Sequence, residues 1–181
     1  AAFDTLAPGA LEYLTDLRGS GMCLQVGVVG DGPAADASIA SGAFDVLATP
    51  FSLVSDWQAR RRIKDASAAN MTLVAYDPFP HTLSRAPATQ PVRRSLFTKT
   101  EPLAGAGTYA FLQETNGWTP EEICLAFSLT EPAFATMQIE AFRPDVVERL
   151  AAVSDRDLPT GVAAQIEMAR FSTDLNEKRR A

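Results

Sequence analysis

The sequence predicts an α/β protein built on four parallel strands. Three observations predict it. Short apolar runs alternate with helical patterns along the chain. The runs are almost entirely apolar rather than alternating, as strands buried on both faces are. Hydrophobic residues make up 46% of the 181 residues and charged residues 21%, enough for a sizeable core. Two architectures satisfy this pattern: an open doubly wound sheet, or part of a barrel. Four strands do not close a barrel, so the pattern by itself favours the open sheet.

Leu11, Leu14 and Leu17 give helical spacing after Pro8, and Gly19 and Gly21 stop that helix. CLQVGVV (23–29) reads as the first strand. Asp31-Gly32-Pro33 starts a second helix, with Pro33 where its missing N–H costs nothing, and this helix runs to Ser41-Gly42. FDVLATPF (44–51) is the second strand. A helix from about Ser55 to Ala69 ends near Asn70, and MTLVAY (71–76) is the third strand.

Residues 77–100 carry Pro78, Pro80, Pro87 and Pro91 and predict a long surface loop, of the length that is usually functional. Helical sequence resumes around Leu103–Gln113. Thr119-Pro120-Glu121-Glu122 is a helix start: Thr119 as N-cap, Pro120 at the first position, Glu122 able to close a capping box. FATMQIEAF (134–142) is the fourth strand. Pro144 begins a helix through about Val153, and 160–175 is a last helix.

Composition bounds the function. The chain suits one domain, 1–181, and is short for a complete β/α barrel, which needs about 250 residues. Net charge is −6 and the pI about 4.8. Nucleic acid and anionic membrane surfaces both select Lys/Arg-rich faces, so neither is an expected partner. The one basic cluster, Arg60-Arg61-Arg62 with Lys64, reads as a solvated helix face. Cys23 and Cys124 sit in apolar runs and read as buried small hydrophobes. A single histidine, His81, leaves little material for a transition-metal site. No signal-like start and no run of membrane-spanning length is present, which makes the cytoplasm the expected location.

Several segments, in order and at the right spacing, resemble the C-terminal half of aldo/keto reductases. LTDLRGSGMCLQVGVV (14–29) looks like the family's helix, turn and fifth strand. FDVLATPFSL (44–53) looks like the sixth strand, and LVAYDPF (73–79) like the seventh with its Tyr-Ser-Pro-Leu ending. TPEEICLAFSL (119–129) resembles the helix before the eighth strand, and 135–152 that strand and the cofactor-adenosine helix. The resemblance implies a parallel (β/α) half-barrel of TIM-barrel type, four strands with surrounding helices. It also implies NADPH as cofactor and carbonyl reduction as the family reaction.

The family's catalytic Asp, Tyr, Lys and His belong to its first four strands, to which nothing in 1–181 corresponds. No catalytic residue is therefore assigned, and the chain is expected to be inactive alone. Compared with the family's cofactor site, Val29 and Gly30 stand where Ser and Asn hold the carboxamide, and Ala48 where a Gln serves it. Phe51 and Ser52 replace a Tyr and an Asn. Tyr76 keeps the place of the Tyr that stacks on nicotinamide, and Asp77 replaces a Ser near the pyrophosphate. Glu140 and Ala141 occupy the 2′-phosphate stretch, and Arg149-Leu150 the adenine-binding pair. Tyr76 and Arg143 are the two residues still suited to cofactor binding. Asp77 and Glu140 would repel a phosphate, by ~1 kcal/mol in water at about 4 Å and by more when desolvated.

Other candidates read more blandly. Gly30-Asp31-Gly32 before a helix could cradle an anion, but the spacing is not the dinucleotide fingerprint and Asp31 opposes it. Asp77 falls at a C-terminal strand end, where barrel enzymes keep their chemistry. Ser52, Ser55 and Asp56 have no histidine in a matching motif to form a triad with. Leu24, Val26 and Val28, with Val46, Val74 and Ile139, are expected to line the uncovered face of the half-barrel. That face predicts a partner: a second copy as a homodimer, or a missing N-terminal half. The alternative to a reductase half is thus a structural or interaction module, or a small binding protein with the 77–92 loop as its lid.

Overall fold

The computed structural model describes residues 9–80, 109 and 111–178, with 171–178 as backbone only. His81 and most of the expected 77–100 loop lie outside the described residues. The chain divides into two compact units, Ala1–Pro78 with Ser128–Glu140, and Phe79–Phe127 with Ala141–Ala181.

The first unit is the sheet unit. Its elements are α1 (Ala10–Gly19), β1 (Gly27–Val29), α2 (Gly32–Ser41), β2 (Val46–Pro50), α3 (Trp57–Ala68), β3 (Thr72–Tyr76) and β4 (Phe134–Gln138). The strands form one sheet in the order β1-β2-β3-β4, and every neighbouring pair is parallel. This sequential order is that of a barrel segment: each crossover moves one strand along in the same direction, with no reversal of the kind that splits a doubly wound sheet. The open-sheet preference of the bare pattern gives way to the half-barrel.

Local chemistry sets the element ends. Gly42 closes α2 at φ 66°, a left-handed conformation that glycine adopts without a Cβ penalty. Asp56 caps α3 by accepting the Ala59 N–H at 2.8 Å. β1 is shorter than the apolar run 23–29. It is an edge strand, and upstream of it a side chain takes over from the ladder. The Val26 N–H donates to the Asp45 carboxylate at 2.9 Å, and Arg18 holds that carboxylate through two bonds of 2.8 and 2.9 Å. Met22 and Leu24 project into solvent, 78% and 90% exposed.

Leu47, Leu73 and Ala75 lie on the covered face of the sheet. They form the core with Ala35 and Ile39 of α2 and Ile63 and Ala66 of α3. Each large aliphatic there contributes ~1.5–3 kcal/mol of burial. Val28 pairs with Leu47 and packs on this same core, and Val26 is buried in it. Val46, Ala48, Val74 and Tyr76 alternate with the covered residues and stay half-exposed. Val29, in register with Ala48, is 73% exposed. The expected face assignment is therefore half corrected. Val46 and Val74 do line the uncovered face, but Val29 joins them rather than Val26 and Val28. An edge strand of three residues sets its own register, and a shift of one residue exchanges the faces.

The second unit holds α4 (Phe111–Glu114), all but the last two residues of α5 (Pro120–Leu129), α6 (Pro144–Ala151), a 3-10 turn (Ala152–Asp155) and α7 (Val162–Lys178). α5 opens with the anticipated capping box. Glu122 accepts the Thr119 N–H at 2.7 Å, and the Glu122 N–H donates to the Thr119 hydroxyl at 3.3 Å. Arg156 stacks 3.8 Å from the Trp118 ring centre and donates to the Gly117 carbonyl, pinning the same helix start.

The basic run is only in part a solvated face, with Arg61 and Lys64 exposed and Arg62 buried. Arg61 is 70% exposed and reaches Asp65 at 3.4 Å, but Arg62 is 6% exposed and donates through Nε to Asp36 of α2 at 2.7 Å. Arg60 lies over the Phe51 ring at 5.9 Å. The helical period turns Arg62 inward beside Ile63 and Ala66, so its stem packs against α2 while its charge is paired.

Candidate functional site

The C-terminal ends of β1, β2 and β3 lie side by side. They bring Val29, Gly30 and Asp31, then Ala48 and Pro50, then Tyr76 and Asp77 to one end of the sheet. Two backbone bonds tie this end together: Gly30 N–H to the Ala48 carbonyl at 2.9 Å, and Phe51 N–H to the Tyr76 carbonyl at 3.0 Å. Asp77 sits at φ 55°, a left-handed conformation that Asp tolerates better than most residues because its short polar chain bonds locally.

Tyr76 is half-buried, and its hydroxyl has no hydrogen-bond partner among the described residues. Burial first, then the negative charges of Asp31 and Asp77, hold its phenol above the ordinary value near 10. Two carboxylates thus act on the Tyr76 ring. Asp31 is also the N-cap of α2 and makes no side-chain cap bond there. Its negative charge already stands where that helix terminus would attract an anion.

Arg143, in the second unit, is the N-cap residue of α6. Its guanidinium is engaged by Asp145 in a two-bond pair of 2.7 and 3.0 Å, both side chains exposed. Ser52 and Ser55 serve the approach to α3, the Ser52 N–H donating to the Ser55 hydroxyl at 2.9 Å. Asp56 is spent on capping. The serines and Asp56 form a helix entrance, not a nucleophilic site. Among the described residues no group of His, Cys, Asp and Glu could hold a metal ion.

No protein-family model and no curated protein matches the sequence. Solved structures do. The aldo-keto reductase AKR11C1 from Bacillus halodurans, in its apo form, superposes with a TM-score of 0.69 at 15% identity, covering 93% of this chain and 59% of that one. The holo form of the same reductase gives a TM-score of 0.69 at 15% identity, over 93% of this chain and 58% of that one. The fold is that of half an aldo-keto reductase barrel. The chain spans somewhat under three-fifths of the solved reductases it matches, a share consistent with the C-terminal half.

The residues present do not fit the dinucleotide that this resemblance implies. Val29 puts an exposed apolar side chain where the reductase pattern has a carboxamide ligand. Tyr76, expected as the nicotinamide platform, feels the negative charges of Asp31 and Asp77. Arg149 and Leu150, which the resemblance sets at an adenine-binding pair, make structural contacts: Arg149 donates to the Thr119 hydroxyl at 2.9 Å, and Leu150 is 3% exposed.

Sequence reasoning missed one feature. Between α2 and α3 runs a groove of about 480 Å³, with Pro33, Asp36 and Ala40 on one side and Trp57, Arg61 and Arg62 on the other. Part of the signal was present in the sequence: Trp57 and Arg61 stand at i,i+4 on α3, and Gln58 and Arg62 form a second such pair beside them.

Proposed function

We propose that the chain is the C-terminal half of an aldo-keto reductase-type barrel that, by itself, neither grips NADPH nor reduces carbonyls. The pairing of Tyr76 with two flanking carboxylates carries this reading: the surviving stacking platform stands in a field that opposes a dinucleotide. Arg143, the other candidate, already has its charge answered by Asp145. A phosphate would have to displace that carboxylate before binding. The expected setting is the cytoplasm, where unpaired thiols such as Cys23 and Cys124 stay reduced. Purified chain mixed with NADPH and a panel of aldehydes and ketones should show no oxidation above the protein-free blank. Turnover that survives repurification would overturn the reading.

A second reading is favoured by the uncovered face. β1 and β4 each have a single strand neighbour among the described residues. Large apolar side chains also crowd the β1 edge, with Met22, Leu24 and Val29 at 78%, 90% and 73% exposure. Exposed apolar residues on a strand edge mark a pairing surface. In this reading the chain is an interaction module completed by a second copy or by an N-terminal half. Light scattering on dilution tests the second copy. A dimer that Val29→Asp dissociates supports it, and a monomer at micromolar concentration contradicts it.

A further inference from the structure

We propose that the groove between α2 and α3 is a binding site for a small aromatic carboxylate. The groove shares no residue with the strand ends, so this inference stands apart from the cofactor question. Its volume of about 480 Å³ falls within the ~300–1,000 Å³ range of small-molecule sites.

The recognition element is Arg62. Its side chain is 94% buried, its Nε is fixed by Asp36 at 2.7 Å, and it lines the groove. Its two terminal nitrogens hydrogen-bond to no described residue. A guanidinium held at Nε with its outer edge open presents two parallel N–H donors, the geometry that a carboxylate accepts in bidentate fashion. Burial makes this demand stronger, because an incompletely answered cation out of water is costly. Arg61, one residue away and 70% exposed, adds positive charge at the rim.

The aromatic part follows from Trp57. Its indole is 64% exposed at the start of α3 and lines the same groove. Five residues separate it from Arg62, about 7.5 Å along the helix axis and about 140° around it, and both residues line the groove. A ring on the indole and an anion on the guanidinium therefore need a short linker between them. Pro33 offers an apolar wall opposite. The anion must carry a single charge. Asp36 and Asp65 also line the groove, and two carboxylates nearby penalise a dianion more than a monoanion.

Titration of isotope-labelled chain with phenylpropionate, followed by amide NMR shifts, tests the site. The expected result is saturable shifts confined to α2 and α3. The neutral phenylpropanamide should bind about tenfold or more weakly, since it cannot complete the charge-assisted pair. Arg62→Gln should lose the carboxylate preference, and Arg61→Ala should weaken binding less. Trp57→Ala should weaken both ligands about equally. Because Trp57 is largely exposed, that variant keeps its fold and decides the matter if Arg62→Gln does not. Absence of shifts in α2 and α3, equal affinity for acid and amide, or an unchanged affinity in Trp57→Ala would each overturn the proposal. Tighter binding of phenylethyl phosphate than of the carboxylate would overturn the choice of anion.

Discussion

Replacing Phe51 by Ala tests whether this residue, which the sequence resemblance sets beside a cofactor site, is part of the core. Phe51 is 2% exposed, packs against Phe134 with ring centres 5.2 Å apart, and lies under the Arg60 guanidinium at 5.9 Å. Truncating a buried Phe costs about 3–5 kcal/mol. The ring pair accounts for ~0.5–1.5 kcal/mol beyond its area, and the cation contact adds ~0.5–1 kcal/mol. With a urea m value of about 2 kcal/mol/M, a loss of ~4 kcal/mol moves the unfolding midpoint down by roughly 2 M. Phe51→Leu, which conserves most of the volume, should cost less than about 1.5 kcal/mol. Urea titrations followed by far-ultraviolet circular dichroism measure both. A midpoint shift below roughly 0.5 M for Phe51→Ala would mean that the ring faces a solvent-filled site, and the core assignment would be wrong.

Three further outcomes follow. Asp45 is held below the ordinary carboxylate value near 3.8, first by the Val26 N–H and then by Arg18. A group depressed on folding stabilises above its unfolded value and loses that contribution as pH falls through the folded value. Asp45→Asn should therefore flatten the acid limb of the stability profile below about pH 4, and a limb identical to wild type would refute it. The Cys124 thiol is pushed up to about 12, chiefly by burial, whereas Cys23 is half-exposed. Alkylation at neutral pH followed by mass spectrometry should modify Cys23 in the native chain and Cys124 only in denaturant; equal rates would contradict this. Thr119→Ala removes an oxygen that serves both the Glu122 N–H and Arg149, and should cost about 1–2 kcal/mol in chemical denaturation. A loss under about 0.3 kcal/mol would show that the cap contributes little.

Much of the scaffold was legible because its signals are local. Thr119 and Glu122 declare a capping box by spacing alone, and the structure forms both of its bonds. Pro33, Gly42 and Pro144 mark helix ends for reasons set by their own backbones. Four apolar runs gave four parallel strands. What the sequence left ambiguous depends on neighbours. The β1 run loses its first residues because Asp45, nineteen positions away, takes the Val26 N–H. Its face assignment slips by one because a three-residue edge strand carries too few side chains to fix register. Arg62 looked like one of several surface cations. Only its inward rotation and the small residues of α2 reveal a buried, paired guanidinium. At the candidate site, Tyr76 and Arg143 could be named from resemblance, but the charges that face them could not. Asp31 acts on Tyr76 across two strands, and Asp145 holds Arg143 by a rotamer that residue type does not specify.

If Asp31 and Asp77 oppose an anionic dinucleotide at these strand ends, as proposed, NADPH titration of the purified chain by calorimetry measures it most directly. Heats no larger than dilution are expected up to millimolar cofactor. A micromolar dissociation constant, about −8 kcal/mol, would contradict it and would mean that Asp31 and Asp77 do not oppose the phosphates.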